Sequence, residues 1–145
     1  MEYELVAGLR WQLEAALPPQ VELVCPLGIG GHVDHRLVRA AAEALNRRLW
    51  FYADYPYVVR SGNRQGAAGR GQARNESGIS FVLGRGAEPT IFPISEPGMV
   101  AWVEAVAAHA SQIGSFWPSL AEMESELRAY CQEVGGVQLW SMAPV

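Results

Sequence analysis

Residues 21–52 read VELVCPLGIGGHVDHRLVRAAAEALNRRLWFY and place two short apolar runs on either side of a helical pattern. The first run, 21–25, is apolar with β-branched residues, as is typical of a buried strand. Residues 35–48 carry apolar side chains at helical spacing, which predicts a helix, and 49–52 form the second strand-like run. A strand, a helix and a strand joined by short loops make a βαβ unit with parallel strands. The fold class is therefore predicted to be α/β.

Apolar spacing, prolines and glycines predict the remaining elements. Helices are expected over 3–17, from 98 to about 113, and from Ser119, as N-cap, to about 134. Further strands are expected at 79–83, 90–95 and 137–140. Residues 60–78 hold four arginines and five glycines, so they are predicted to form a long mobile loop. The sequence contains no repeat and no sign of a second domain, so residues 1–145 are interpreted as one domain.

The composition excludes several classes of protein. Half of the 145 residues are hydrophobic, which excludes a wholly disordered chain, and the net charge of −4 argues against a nucleic-acid partner. No apolar run approaches the roughly 20 residues of a membrane helix, and the acidic start lacks the basic region of a secretory signal. Two cysteines, Cys25 and Cys131, are too few for a disulfide framework. We therefore expect two buried thiols and a cytoplasmic protein.

The chemistry is concentrated in residues 28–36, GIGGHVDHR, which follow a predicted strand and open a predicted helix. Ligands of open α/β sheets bind at this end of the strands. Asp34 is predicted to be the N-cap, which places His35 in the first turn, where the helix dipole favours a neutral imidazole that can bind metal. His32, in the loop, could face a substrate as an acid or as a charged group near an oxyanion.

Purely structural roles for the same residues also stay open. A His-x-x-His spacing is short and weakly specific, so Asp34 could only cap the helix and both histidines could be polar loop residues. The glycines lack the GxGxxG spacing of nucleotide-binding loops, which makes a nucleotide site the weaker hypothesis.

Tyr55 and Tyr57 could stack against a sugar, and Arg60 could contact an anionic substrate group.

Residues 26–41, PLGIGGHVDHRLVRAA, resemble the second conserved block of the LmbE/PIG-L de-N-acetylases. Residues 49–57 look like the next strand and aromatic loop of that family, 102–112 are similar to a later helix, and 137–140 resemble its closing strand. The resemblance implies a Rossmann-like parallel sheet flanked by helices in three layers. It also implies a zinc-dependent hydrolase that removes acetyl groups from N-acetylated sugars or related amides.

The resemblance also implies roles for the residues of the motif. His35 would be a zinc ligand, His32 would stabilise the tetrahedral intermediate or protonate the leaving amine, and Asp34 would orient a histidine. Zinc would act as Lewis acid and activate the attacking water.

The sequence departs from the family in one large respect. The family's first block, Ala-His-Pro-Asp-Asp-Glu, supplies two zinc ligands and the general base, and no such run is present. The chain is therefore expected to be the carboxyl-terminal portion of such a fold, with an open sheet edge that favours a homo-oligomer. Asp54 and His109 are interpreted as a polar strand-end residue and an exposed helix residue. The alternative function is a non-catalytic remnant of the fold that acts as a binding module.

Overall fold

The computed structural model describes residues 2–60, 79, 83 and 88–142. These residues form a mixed α/β structure whose four strands make one open sheet in the order β1-β2-β4-β3. The strands are β1 (Leu23–Pro26), β2 (Leu49–Tyr52), β3 (Thr90–Phe92) and β4 (Val137–Met142). The helices are α1 (Glu2–Ala16), α2 (Val33–Glu43), α3 (Tyr57–Arg60), α4 (Glu96–Ala107), α5 (Ala110–Phe116) and α6 (Leu120–Val134).

The βαβ unit predicted for residues 21–52 is confirmed. β1 and β2 are parallel neighbours, with Cys25 opposite Phe51, and α2 connects them. β4 runs antiparallel to β2 and places Trp140 opposite Phe51 on the other side. The sheet is therefore mixed, with a parallel half built by the βαβ unit.

One row of side chains across the three strands forms the centre of this core. Cys25, Phe51 and Trp140 are almost completely buried. α2 packs against β1, and its buried residues Ala41 and Ala42 are small, which allows the helix close to its neighbours. Cys25 and Phe51 belong to the two apolar runs predicted as strands. They contribute to the core because their apolar side chains are removed from water together.

The chain divides into two compact units, Met1–Thr90 with Leu139–Val145, and Ile91–Gln138. The second unit contains α6, whose inner face is apolar at helical spacing: Met123, Leu127, Cys131 and Val134. Ser119 caps this helix, since its hydroxyl accepts from the Glu122 N–H at 3.2 Å. Gly135 ends it in the left-handed region at φ 82°. Both predicted ends of the last helix are confirmed.

Several predicted boundaries are wrong. The helix predicted from 98 to 113 is two helices, α4 and α5, separated at Ala108 and His109. Ile79 and Leu83 are helical, which contradicts a strand at 79–83. α2 ends at Glu43 and not at 48, and Asn46 has a positive φ of 52°. Of the predicted loop 60–78, residues 61–78 lie outside the described residues, and Arg60 ends α3.

Among the helices of the described ranges, none combines the length and apolar character needed to cross a membrane.

Candidate functional site

His32 and His35 lie at the start of α2, as the motif predicts, but the helix is capped differently. His32 is the N-cap, and its Nδ1 accepts from the Asp34 N–H at 3.3 Å. The prediction that Asp34 is the N-cap is wrong, because α2 begins at Val33 and Asp34 already lies in its first turn. The Asp34 side chain is 75% exposed, with Oδ2 3.8 Å from Nδ1 of His32.

His35 lies in the first turn of α2, as predicted, and contacts a carboxylate. Its Nδ1 lies 2.5 Å from Oδ1 of Asp54, whose residue is only 1% exposed. The contact does not meet the usual angular criteria of a hydrogen bond, yet two lone pairs would repel at this distance. We therefore interpret Nδ1 as the protonated nitrogen of His35, held beside the carboxylate by charge attraction.

Asp54 is fixed from its other oxygen. Oδ2 accepts from the backbone N–H of Ile29 at 2.9 Å, in the loop between β1 and α2. This meeting follows from the parallel pairing of β1 and β2, which brings the loops after both strands to the same edge of the sheet. A buried carboxylate is tolerated there because each of its oxygens faces a donor.

A third aromatic ring completes the cluster. The ring of Tyr57 stands edge-on to His35, with centroids 6.1 Å apart and planes at 87°. It lies 6.4 Å from the ring of His32, and the two histidine rings are 5.1 Å apart. Of the residues predicted to bind substrate, Tyr57 is thus the one placed beside the histidines by these ring contacts.

The other candidates lie as follows. Tyr55 precedes Tyr57 by two residues and is half-buried, and Arg60 is the half-buried last residue of α3. His109 is the exposed N-cap of α5, without a side-chain capping bond.

The residue that the sequence interpretation missed is Asp54. The sequence predicts only a polar strand-end residue there, two positions after β2. That position was the available signal, because the carboxyl ends of neighbouring parallel strands adjoin.

Cys25, in β1, could be considered as a nucleophile for this site. Burial raises the pKa of its thiol from 9.0 to about 12, and the negative charge of Glu43 adds to this effect. Since the thiolate is the reactive form of cysteine, Cys25 is an inert core residue. Its chemistry therefore does not contribute to the site.

Within residues 2–60, 79, 83 and 88–142, no three His, Cys, Asp or Glu side chains are grouped so that they could hold a metal ion. His35 could offer Nε2, since only its Nδ1 faces Asp54, and such a carboxylate partner is common behind a metal-bound histidine.

Comparison of the chain with family models, with curated proteins and with solved structures finds no match in any of the three.

Proposed function

We propose that the chain carries part of the active site of a zinc-dependent hydrolase of the LmbE/PIG-L type. The substrate would be an N-acetylated sugar or a related amide, from which the acetyl group is removed. The observation that carries the proposal is the contact between Nδ1 of His35 and the buried carboxylate of Asp54. A buried carboxylate that orients a histidine at the edge of a parallel sheet is costly to maintain and is typical of catalytic sites.

Asp54 determines which nitrogen of His35 is available. With the Nδ1 proton directed at Asp54, Nε2 carries the lone pair and can accept a proton or bind a metal. Nδ1 is buried whereas 31% of the side chain is exposed, so the accessible part of the ring lies away from Asp54. His35 would therefore present Nε2 to a substrate, to water or to a metal ion.

His32 has the opposite arrangement. Its Nδ1 accepts from the Asp34 N–H, so the neutral ring carries its proton on Nε2. A ring in this form can donate a hydrogen bond to a developing oxyanion or a proton to a leaving amine. The two neighbouring rings would thus offer one acceptor and one donor to an amide.

The fit to zinc is incomplete. A catalytic zinc takes three protein ligands and water, whereas the described residues supply His35 alone and Asp54 already faces its Nδ1. We therefore assign no step to the metal. A zinc ion at His35 would require further ligands from outside the described residues, for example from another copy of the chain.

Two broader features belong to the same proposal. The parallel β1-α2-β2 unit supports a Rossmann-like fold with helices on both faces, as the family resemblance implies. The free, buried Cys25 and Cys131 support a cytoplasmic location, where thiols stay reduced.

The alternative is a non-catalytic binding module built on the same fold. The observation that favours it is the absence of a three-residue ligand group among the described residues. In that case the Asp54–His35 contact would only stabilise the loop.

Metal content and acetate release test both proposals. The purified chain is dialysed without chelator, analysed for zinc, and incubated with N-acetylglucosamine as a probe, alongside His35→Ala and the matched control His109→Ala. About one zinc per chain and acetate release, both lost in His35→Ala alone, support the hydrolase. A metal-free, inactive and stably folded protein supports the binding module.

A further inference from the structure

The space beside Gly30 is filled by an aromatic ring from another segment. A Cβ atom built on Gly30 would lie 2.7 Å from Cδ1 and Cγ of Tyr57 and 2.8 Å from its Cβ. Real Cβ atoms do not approach carbon so closely, and these ring atoms adjoin the backbone of α3 and cannot simply rotate away. The ring of Tyr57 therefore packs directly against Gly30, in space that any other residue's side chain would occupy.

The geometry points to Tyr57 as a positioning residue that holds the imidazole rings of His32 and His35 in place. Its ring lies within 6.4 Å of both, and it stands edge-on to His35 at 87°. The edge-to-face contact with His35 is favourable and directional at this separation, and the ring of His32 packs against Tyr57 at a tilt of 43°. Tyr57 therefore restrains how each imidazole ring turns about its χ2 bond.

The position of Tyr57 is itself determined by the Asp54 segment. The N–H of Val58 donates to the carbonyl oxygen of Asp54 at 2.9 Å, and Val58 is 1% exposed. The carboxylate of Asp54 and the ring of Tyr57 thus reach His35 from one short turn of the chain. The loop after β1 receives them at adjacent residues, Ile29 for the Asp54 carboxylate and Gly30 for the Tyr57 ring.

The catalytic consequence rests on the proposed function, but the positioning does not. If the site hydrolyses amides, loss of the ring lowers kcat more than it raises KM, because the histidines act on the reacting group in the transition state. The expected loss is about tenfold to a hundredfold, as for small misplacements of catalytic groups. If the site is not catalytic, the restraint on the two rings is still measurable.

Side-chain ¹H–¹⁵N correlation spectra of the histidines test the inference in the full chain. Tyr57→Phe keeps the ring and should retain one Nδ1–H form of His35 and one Nε2–H form of His32. Tyr57→Leu removes the ring and should move the ring nitrogens of both histidines toward the averaged values of mobile imidazoles. A wild-type pattern in a folded Tyr57→Leu variant would overturn the proposal.

Two glycines provide a second, matched comparison. Gly30 and Gly31 have similar positive φ values of 88° and 74°, but a Cβ at Gly31 would meet nothing within 4 Å. Both alanine variants carry the same backbone strain, so only Gly30→Ala should reproduce the spectrum of Tyr57→Leu. Equal spectra for the two variants would contradict the role of the Tyr57 contact. If Gly30→Ala does not fold, the comparison of Phe with Leu at position 57 still decides.

Acetate release separates this inference from the proposed hydrolase. Absence of acetate release from the wild-type chain, combined with the expected spectra, rejects the hydrolase and keeps the positioning role. Acetate release that is equal in Tyr57→Phe and Tyr57→Leu keeps the hydrolase and rejects the positioning role.

Discussion

The carboxylate of Asp54 joins the ring of His35 to the loop that follows β1. Oδ1 lies 2.5 Å from Nδ1 of His35, and Oδ2 accepts from the Ile29 N–H at 2.9 Å. Both contacts are buried, so removal of the carboxylate would leave the Ile29 N–H without its acceptor and Nδ1 of His35 without its charged neighbour. The same side chain therefore serves the stability of the loop and the orientation of the histidine.

Asp54→Ala should lower the free energy of unfolding by about 2–4 kcal/mol, because the buried Ile29 N–H loses its acceptor and Nδ1 of His35 loses its charged neighbour. Asp54→Asn should cost less, since its amide oxygen can still accept from the Ile29 N–H. Urea unfolding measures both. Asp34→Asn is the matched control, because that carboxylate is exposed and its main effect is on the helix dipole, worth less than about 1 kcal/mol. Equal losses at positions 34 and 54 would show that the Asp54 contacts contribute nothing.

Stability should fall in alkaline solution. Burial raises the pKa of Cys25 from 9.0 to about 12 and that of Tyr130 from 10.0 to about 12. Between pH 9 and 12 these groups ionise in the unfolded chain but stay neutral in the folded one, so the free energy of unfolding decreases as pH rises. Each pKa unit corresponds to about 1.4 kcal/mol.

Variants separate the two groups. Cys25→Ala should weaken the decline that begins near pH 9, leaving the contribution of Cys131, whose pKa burial also raises from 9.0, and that of Tyr130 from about pH 10. Tyr130→Phe should keep the early onset and flatten the upper part of the curve. Urea unfolding at a series of pH values gives both curves. An unchanged profile in Cys25→Ala would mean that the buried thiol ionises as readily as an exposed one.

The sequence predicted the parts of the fold that depend on local patterns. The parallel strands β1 and β2 follow from two apolar runs on either side of one amphipathic helix. The start and end of the last helix follow from the serine at its N-cap and the glycine after its last turn. The split of 98–113 into α4 and α5 had no such signal. No glycine or proline lies between residues 99 and 113, so the local sequence favours one continuous helix.

The site was predicted only as far as the motif itself extends. His32 and His35 are neighbours in sequence and could be placed on one helix start. Asp54 and Tyr57 reach them across 19 or more positions of the chain, through the pairing of β1 with β2. Gly30 is one of the glycines of the motif, and its lack of a side chain is needed by a ring from another segment. These relationships are tertiary, so periodicity and propensity carry no information about them.

Two glycines should respond to alanine with opposite signs. Gly8 lies inside α1, and a Cβ there would meet nothing within 4 Å, so Gly8→Ala should raise the free energy of unfolding by about 0.5–1 kcal/mol. Gly136 has φ 139°, and a Cβ there would overlap the carbonyl oxygen of Phe92, so Gly136→Ala should destabilise by about 2 kcal/mol or more. Thermal unfolding tests both. Two shifts of the same sign would contradict the prediction.

Arg47 should stabilise the fold through contacts with backbone oxygens. Its Nη2 donates to the carbonyl oxygens of Pro18, Pro19 and Val21 at 2.9, 2.6 and 2.6 Å, and so ties the segment between α1 and β1. Arg47→Ala should lower the free energy of unfolding by about 1–3 kcal/mol, because charge-assisted bonds to carbonyl oxygens exceed neutral ones.

Arg10→Ala is the matched control for this arginine. Arg10 pairs only across one helical turn with Glu14, at 2.9 Å on an exposed face, and such pairs contribute about 0.3–0.5 kcal/mol. Urea unfolding at low and high salt distinguishes the two. The Arg10 effect should vanish at high salt, whereas most of the Arg47 effect should remain because its partners are backbone oxygens. Equal salt sensitivity would mean that Arg47 acts through surface charge and not through these three bonds.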